Sequence, residues 1–197
     1  MTNNNELVFR GFRALLMGFA PYICAALRVE YGPDWWRQAV LTTLHELQRR
    51  GLPLEGPDQK LMESLDIQRC LILFDALWGD VFRKRLSIDH RTWAKELMGV
   101  RNKLAHIGAD DFNDSDTWRA LDTMSRLCEQ IDAEATEEIR ALLRESRYGS
   151  AAGSTAVTAQ AAPQAAPAAP KASGILAESP ANLPSWRDVI EPHPDVA

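Results

Sequence analysis

Cysteine is scarce in this chain of 197 residues: Cys24, Cys70 and Cys128 are odd in number, far apart, and each sits in an apolar helical pattern. They read as buried free thiols of a reducing cytosol, and a disulfide framework is excluded. Paired Cys and His spacings are missing, so no metal site and no cofactor is expected. The polar opening 1–6 lacks the basic-then-apolar pattern of a signal peptide. No uncharged apolar run reaches the ~18 residues that cross a membrane; the longest candidate, 14–27, contains Pro21. A cytoplasmic protein without a membrane partner is the expectation. Alternating apolar and polar strands between hairpin turns are also missing. So is an excess of positive charge: the formal net charge is −5, and the whole chain does not coat nucleic acid.

What the chain has is helical periodicity, with 46% hydrophobic residues to build one sizeable core. Val8, Phe12, Leu15, Phe19, Ile23 and Leu27 recur at steps of three and four, which predicts a helix over about 6–31. Pro21 predicts a kink or break near Phe19 and Ala20. A second helix is expected from Asp34, a candidate N-cap, to Arg50 before Gly51. It opens with Trp35 and Trp36, about 100° apart on a helix. One of them is expected in the core, the other over a neighbouring helix or a partner. Ile67, Cys70, Leu71, Phe74, Trp78, Val81 and Phe82 mark a third segment, starting at Asp58 or Asp66 and ending at Leu86. A fourth starts after Ser87 and carries Trp93, Leu97, Val100 and Leu104 to His106. Trp78 and Trp93 are expected as core anchors, and His45 and His90 as surface or satisfied polar groups. The fifth, 115–147, places Leu121, Cys128, Ala135 and Leu142 seven residues apart, the seam of one long helix. The expected fold is all-α: an up-and-down bundle of four to five helices over 1–148.

Beyond 148 the composition changes. Residues 149–181 are mostly Ala, Pro, Ser, Thr and Gly, an Ala/Pro-rich disordered linker that cannot bury enough surface to order itself. Residues 182–197 form a short amphipathic segment around Trp186, read as the opening of a further domain or a docking peptide. The chain is expected to be the N-terminal part of something larger.

The chemistry gathers at Arg101, Asn102 and His106. Asn102 and His106 are four residues apart and share a helix face, and the long side chain of Arg101 reaches the same end. A cation, an amide and an imidazole within one and a half turns can bind a phosphate, orient the ring and move a proton. The same residues, with Gly108 beyond, also describe an ordinary helix end. Between Arg83 and His106 seven cations face only Asp89 and Glu96, a local charge of +5. Arg91, Lys95, Arg101 and Lys103 are the candidate phosphate contacts. The acidic stretch 109–116 follows at once and is placed to cover the site or repel competing anions.

The Arg101, Asn102, His106 spacing, before a long final helical segment, resembles the HEPN superfamily motif of Arg, four to six residues, then His. Glu30-Tyr-Gly-Pro-Asp-Trp-Trp36, Gly99-Val-Arg-Asn-Lys-Leu-Ala-His106 and Thr117-Trp-Arg-Ala-Leu-Asp-Thr-Met124 resemble one branch of it. That branch is related to a eukaryotic RNA-surveillance endoribonuclease and in bacteria precedes large AAA-type ATPase regions. The segment Pro184-Ser-Trp-Arg-Asp-Val-Ile-Glu-Pro-His-Pro-Asp-Val196 resembles the entry to such a region. The resemblance implies a homodimer whose motifs face each other across one cleft. It implies a metal-independent endoribonuclease that uses the RNA 2′-hydroxyl, with Arg101, Asn102 and His106 catalytic. The alternative it leaves is a non-catalytic dimerisation and RNA- or nucleotide-binding module that regulates an attached ATPase. Homodimer, RNA and an AAA-type ATPase region, in cis or in trans, are the expected partners.

Overall fold

A computed structural model describes residues 3–106 and 112–154 of the chain, and every element among them is helical. Helix α1 spans Asn4–Tyr31; the Asn3 side chain accepts the Asn5 N–H at 2.6 Å and Gly32, at φ 65°, ends it. The predicted stripe from Val8 to Leu27 is buried throughout. Each such side chain contributes about 1.5–3 kcal/mol. Pro21 does not break α1. It lies with Met17, whose carbonyl loses its N–H partner, on the exposed face, where water reaches that carbonyl.

The second segment departs from expectation. Asp34 sits inside a 3-10 turn, Gly32–Asp34, and is no N-cap. A π turn, Trp36–Val40, leads into α2, Leu41–Thr43; Leu44 is extended at ψ 136° and α3, Glu46–Arg49, follows. Two adjacent indoles explain the irregular backbone. Both Trp35 and Trp36 are buried in the core, edge to face at 5.4 Å, where one was expected in the core and the other over a neighbouring helix or a partner. Their N–H groups donate to Asp58 Oδ1 and to the Pro53 carbonyl, which a straight helix would not align.

Helix α4 spans Asp58–Glu63 and α5 spans Ile67–Ala76, capped by Asp66, whose Oδ1 accepts the Arg69 N–H at 2.8 Å. The Arg69 guanidinium donates to the carbonyls of Gln48 and Arg50, tying the end of α3 to α5. After a π turn, Trp78–Phe82, helix α6 runs Ile88–Ala105. Phe74 is the aromatic centre, with Phe19 at 5.1 Å, Trp78 at 5.3 Å and Phe82 at 4.6 Å. Trp78 is a core anchor as expected; Trp93 is only half-buried.

The expected long fifth helix is two. Helix α7, Asp114–Cys128, turns through 129–132 into α8, Ala133–Ser154. Asp132 makes the break: its Oδ1 accepts the Ala135 N–H at 2.7 Å and its carbonyl accepts the Thr136 hydroxyl at 2.6 Å, so it caps α8. Both helices pack on α1. Gly11 and Gly18 permit the approach: a Cβ there would lie 2.6 Å from Leu121 Cδ2 and 2.6 Å from Asp132 Cβ. By length and composition α1 would also qualify as a membrane span, but its apolar stripe is covered by α5, α7 and α8. Helix α8 carries on through 149–154, the first residues of the expected linker. The rest of that linker, the segment 182–197 and most of the acidic stretch, 107–111, lie outside the described residues.

Candidate functional site

Helix α6 starts at Ser87, whose extended backbone (φ −73°, ψ 159°) is that of an N-cap residue. His90, Ala94 and Leu97 face the core. Towards the C-terminus the helix emerges: Arg101 is half-buried, and Asn102, Lys103, Ala105 and His106 are exposed. His106 caps the helix at φ −111°, ψ 13°, and its N–H donates to the Asn102 and Lys103 carbonyls at 3.2 and 3.1 Å. That shared bond tightens the last turn. The side chains of Arg101, Asn102 and His106 have no hydrogen-bond or ion-pair partner among the described residues.

The other predicted phosphate contacts are engaged. Asp75 of α5 accepts from Arg91 Nε at 2.6 Å and lies 3.6 Å from Lys95 Nζ. Asp116 of α7 lies 2.7 Å from Lys103 Nζ, which also stands 4.5 Å from the Phe112 ring centroid. Lys84 pairs with Glu30 of α1 at 3.0 Å, and Glu96 is taken by Arg119. Three acids from other helices, Glu30, Asp75 and Asp116, thus offset part of the charge of +5 counted along the sequence, while Arg119 takes up Glu96. These pairs are exposed enough to contribute at most about 1 kcal/mol each, so an arriving phosphate can displace them. Arg91 and Lys95 stand about 22 and about 16 Å along α6 from His106. Both are too far along the helix to share one phosphate-sized group with His106.

The far side of the site is anchored in a way the sequence reading missed. Phe112 is buried; its N–H donates to Asn5 Oδ1 at 3.1 Å and its carbonyl accepts from Asn4 Nδ2 at 2.6 Å. The start of α1 therefore pins the chain directly after 107–111. Arg101 lines two depressions. One, about 110 Å³, is shared with Gln68, Ile72 and Asn102. The other, about 420 Å³, runs between α1, α5 and α6 and includes Phe9 and Arg13, neither of which the sequence reading singled out. Among the described residues, no three His, Cys, Asp or Glu side chains gather as a metal site would require. Burial pushes the Cys24 thiol up to about 12 and Cys128 to about 11, so neither supplies a thiolate.

A family model for Swt1-like HEPN matches residues 10–132. The chain belongs to this family. The match runs from within α1 to the α7–α8 turn and includes the whole Arg101 to His106 motif, and HEPN modules are in general RNases or RNA-binding folds. Helix α8 follows the matched residues yet completes the HEPN core through Ala135, Ile139 and Leu142. No curated protein and no solved structure matches the chain.

Proposed function

We propose that this HEPN domain is a metal-independent endoribonuclease of the cytoplasm, working as a homodimer on RNA, with Arg101, Asn102 and His106 as its catalytic residues. The observation that carries the reading is the contrast within α6: Lys103, Arg91 and Lys95 are ion-paired, while Arg101, Asn102 and His106 stand without partners among the described residues. RNA carries its own nucleophile. One His106 takes the 2′-hydroxyl proton as O2′ attacks phosphorus, the P–O5′ bond breaks, and the partner copy's imidazolium returns a proton to O5′. The Arg101 fork holds the non-bridging oxygens as charge builds, and Asn102 steadies ring or substrate from one turn away. The products are a 2′,3′-cyclic phosphate and a 5′-hydroxyl. A following AAA-type ATPase region, in cis or in trans, would control when the cleft is used.

The second reading, a non-catalytic dimerisation and RNA- or nucleotide-binding module, draws on the acids Asp75 and Asp116 that mute the field around the motif. RNA cleavage in EDTA separates the two. The parent leaves cyclic phosphate ends, His106→Ala loses cleavage by at least about 100-fold with its circular dichroism unchanged, and Arg101→Ala loses both turnover and affinity. Equal cutting by parent and both variants would remove the assignment; no cutting by any, with RNA still bound, would favour the binding module.

A further inference from the structure

The larger depression beside Arg101 has features that the cleavage chemistry does not need. Phe9 and Arg13 lie four residues apart on one face of α1. Phe9 is 56% exposed and is the sole aromatic among the exposed large apolar side chains of the described residues. Ile67 of α5 and Leu104 of α6 line the same groove, together with Arg101. The one acid in the lining, Asp66, is committed to capping α5 and to an ion pair with Arg69 at 2.8 Å. Arg13 and Arg101 have no anionic partner among the described residues. The groove is therefore lined mainly by apolar side chains, with one exposed aromatic and two arginines from different helices, and is about 420 Å³ in volume. That volume lies in the range of small-ligand sites.

We infer that this groove is a nucleotide subsite of single-stranded RNA: it seats the unstacked base next to the scissile phosphate against Phe9, while Arg13 and Arg101 hold the phosphates on either side. The inference rests on the proposed ribonuclease reading and extends it to the substrate. An apolar helix would leave both guanidiniums buried and unmatched, which is costly. A base joined to phosphates satisfies the apolar lining and the arginines together. A paired base cannot enter without leaving its stack, so duplex RNA is a poor ligand.

Binding is read by fluorescence anisotropy with the full chain and a 2′-O-methyl RNA strand, which cannot be cut because its nucleophile is blocked. The same strand in duplex form and an equally long strand without bases serve as probes beside it. The parent binds the single strand at least about tenfold more tightly than either. Phe9→Ala loses about tenfold on the single strand and nothing on the strand without bases. Arg13→Ala weakens both and lowers the slope of log affinity against log salt by about 0.7, whereas Phe9→Ala leaves that slope unchanged. Both side chains are exposed, so both variants fold.

Parent-like binding by Phe9→Ala and Arg13→Ala overturns the subsite, as does equal affinity for single strand and duplex or no binding by the parent. Displacement by adenosine monophosphate at the strand's own affinity overturns the RNA assignment in favour of a free nucleotide. Dissociation of a dimer in Phe9→Ala, seen by light scattering with RNA binding unchanged, makes the groove an interface and also overturns it. Cleavage of ordinary RNA is scored separately. A parent that binds in this pattern but does not cut keeps the subsite and removes the nuclease; a parent that cuts while both variants bind and cut like it does the reverse.

Discussion

Protonating His90 would place a second ring N–H in the core with no acceptor. Nδ1 lies 3.0 Å from Ser87 Oγ, but Nε2 is buried without a hydrogen-bond partner among the described residues. Burial therefore lowers the pKa of His90, against smaller opposing effects from Ser87 and Asp89. Because the folded pKa lies below the unfolded one, the unfolded chain binds more protons as the pH falls past about 6.5. Stability is full above that pH and is lost below it. The thermal midpoint of the parent should drop between pH 7.5 and 5.5, and the drop should shrink in His90→Gln; parallel curves would assign it to other groups. His90 was expected at the surface or satisfied; it is buried and satisfied at one nitrogen alone, because its place was decided by a helix rotation that brings Ala94 and Leu97 inward with it. Arg101, Asn102 and His106 were legible for the opposite reason. They lie on one helix, where the chain itself fixes their spacing. Their charge environment was not legible, since Asp75, Asp116 and Glu30 come from elsewhere in the sequence.

Two glycines, one in α1 and one in α6, test the packing of elements. At Gly18 an added Cβ meets Asp132 Cβ at 2.6 Å, and that atom is fixed to the backbone of the α7–α8 turn. Gly18→Ala should cost about 1–3 kcal/mol in overpacking, reduced by up to about 1 kcal/mol of gained helix propensity. At Gly99, inside α6 and exposed, nothing lies within 4 Å. Gly99→Ala should stabilise by about 0.5–1 kcal/mol. Urea midpoints of the two variants should move in opposite directions; a stabilised Gly18→Ala would show that α1 and the turn are less tightly engaged. The turn itself escaped the periodicity because the heptad positions continue through it: Leu121 and Cys128 on α7, Ala135 and Leu142 on α8, all face inward. Two antiparallel helices resting on one partner leave the same repeat as one long helix. The irregular second segment was hidden differently, since Trp35 and Trp36 override helical spacing by both going inside.

At the scale of the whole molecule, the folded unit is α1 to α8, with α7 and α8 closing over α1. A chain ending at Ser154 should keep the thermal midpoint of the full chain within about 2 °C. A chain ending at Asp132, where the family match stops, strips Ala135, Ile139 and Leu142 from the core. At about 1.5–3 kcal/mol for each large side chain, that removes much of a typical margin of about 5–15 kcal/mol. Calorimetry should show no cooperative transition for it; a sharp one would make α8 an accessory. The pairing of Lys84, Arg91, Lys95 and Lys103 with acids from three other helices also bears on selectivity in a mixture of nucleic acids. A bare run of cations is an ion exchanger: it releases counterions from any polyanion and is soaked up by whichever is most abundant. Here four cations share three built-in counterions, Arg91 and Lys95 both standing on Asp75, so a polyanion that approaches them gains less by exchange than it would from a bare run.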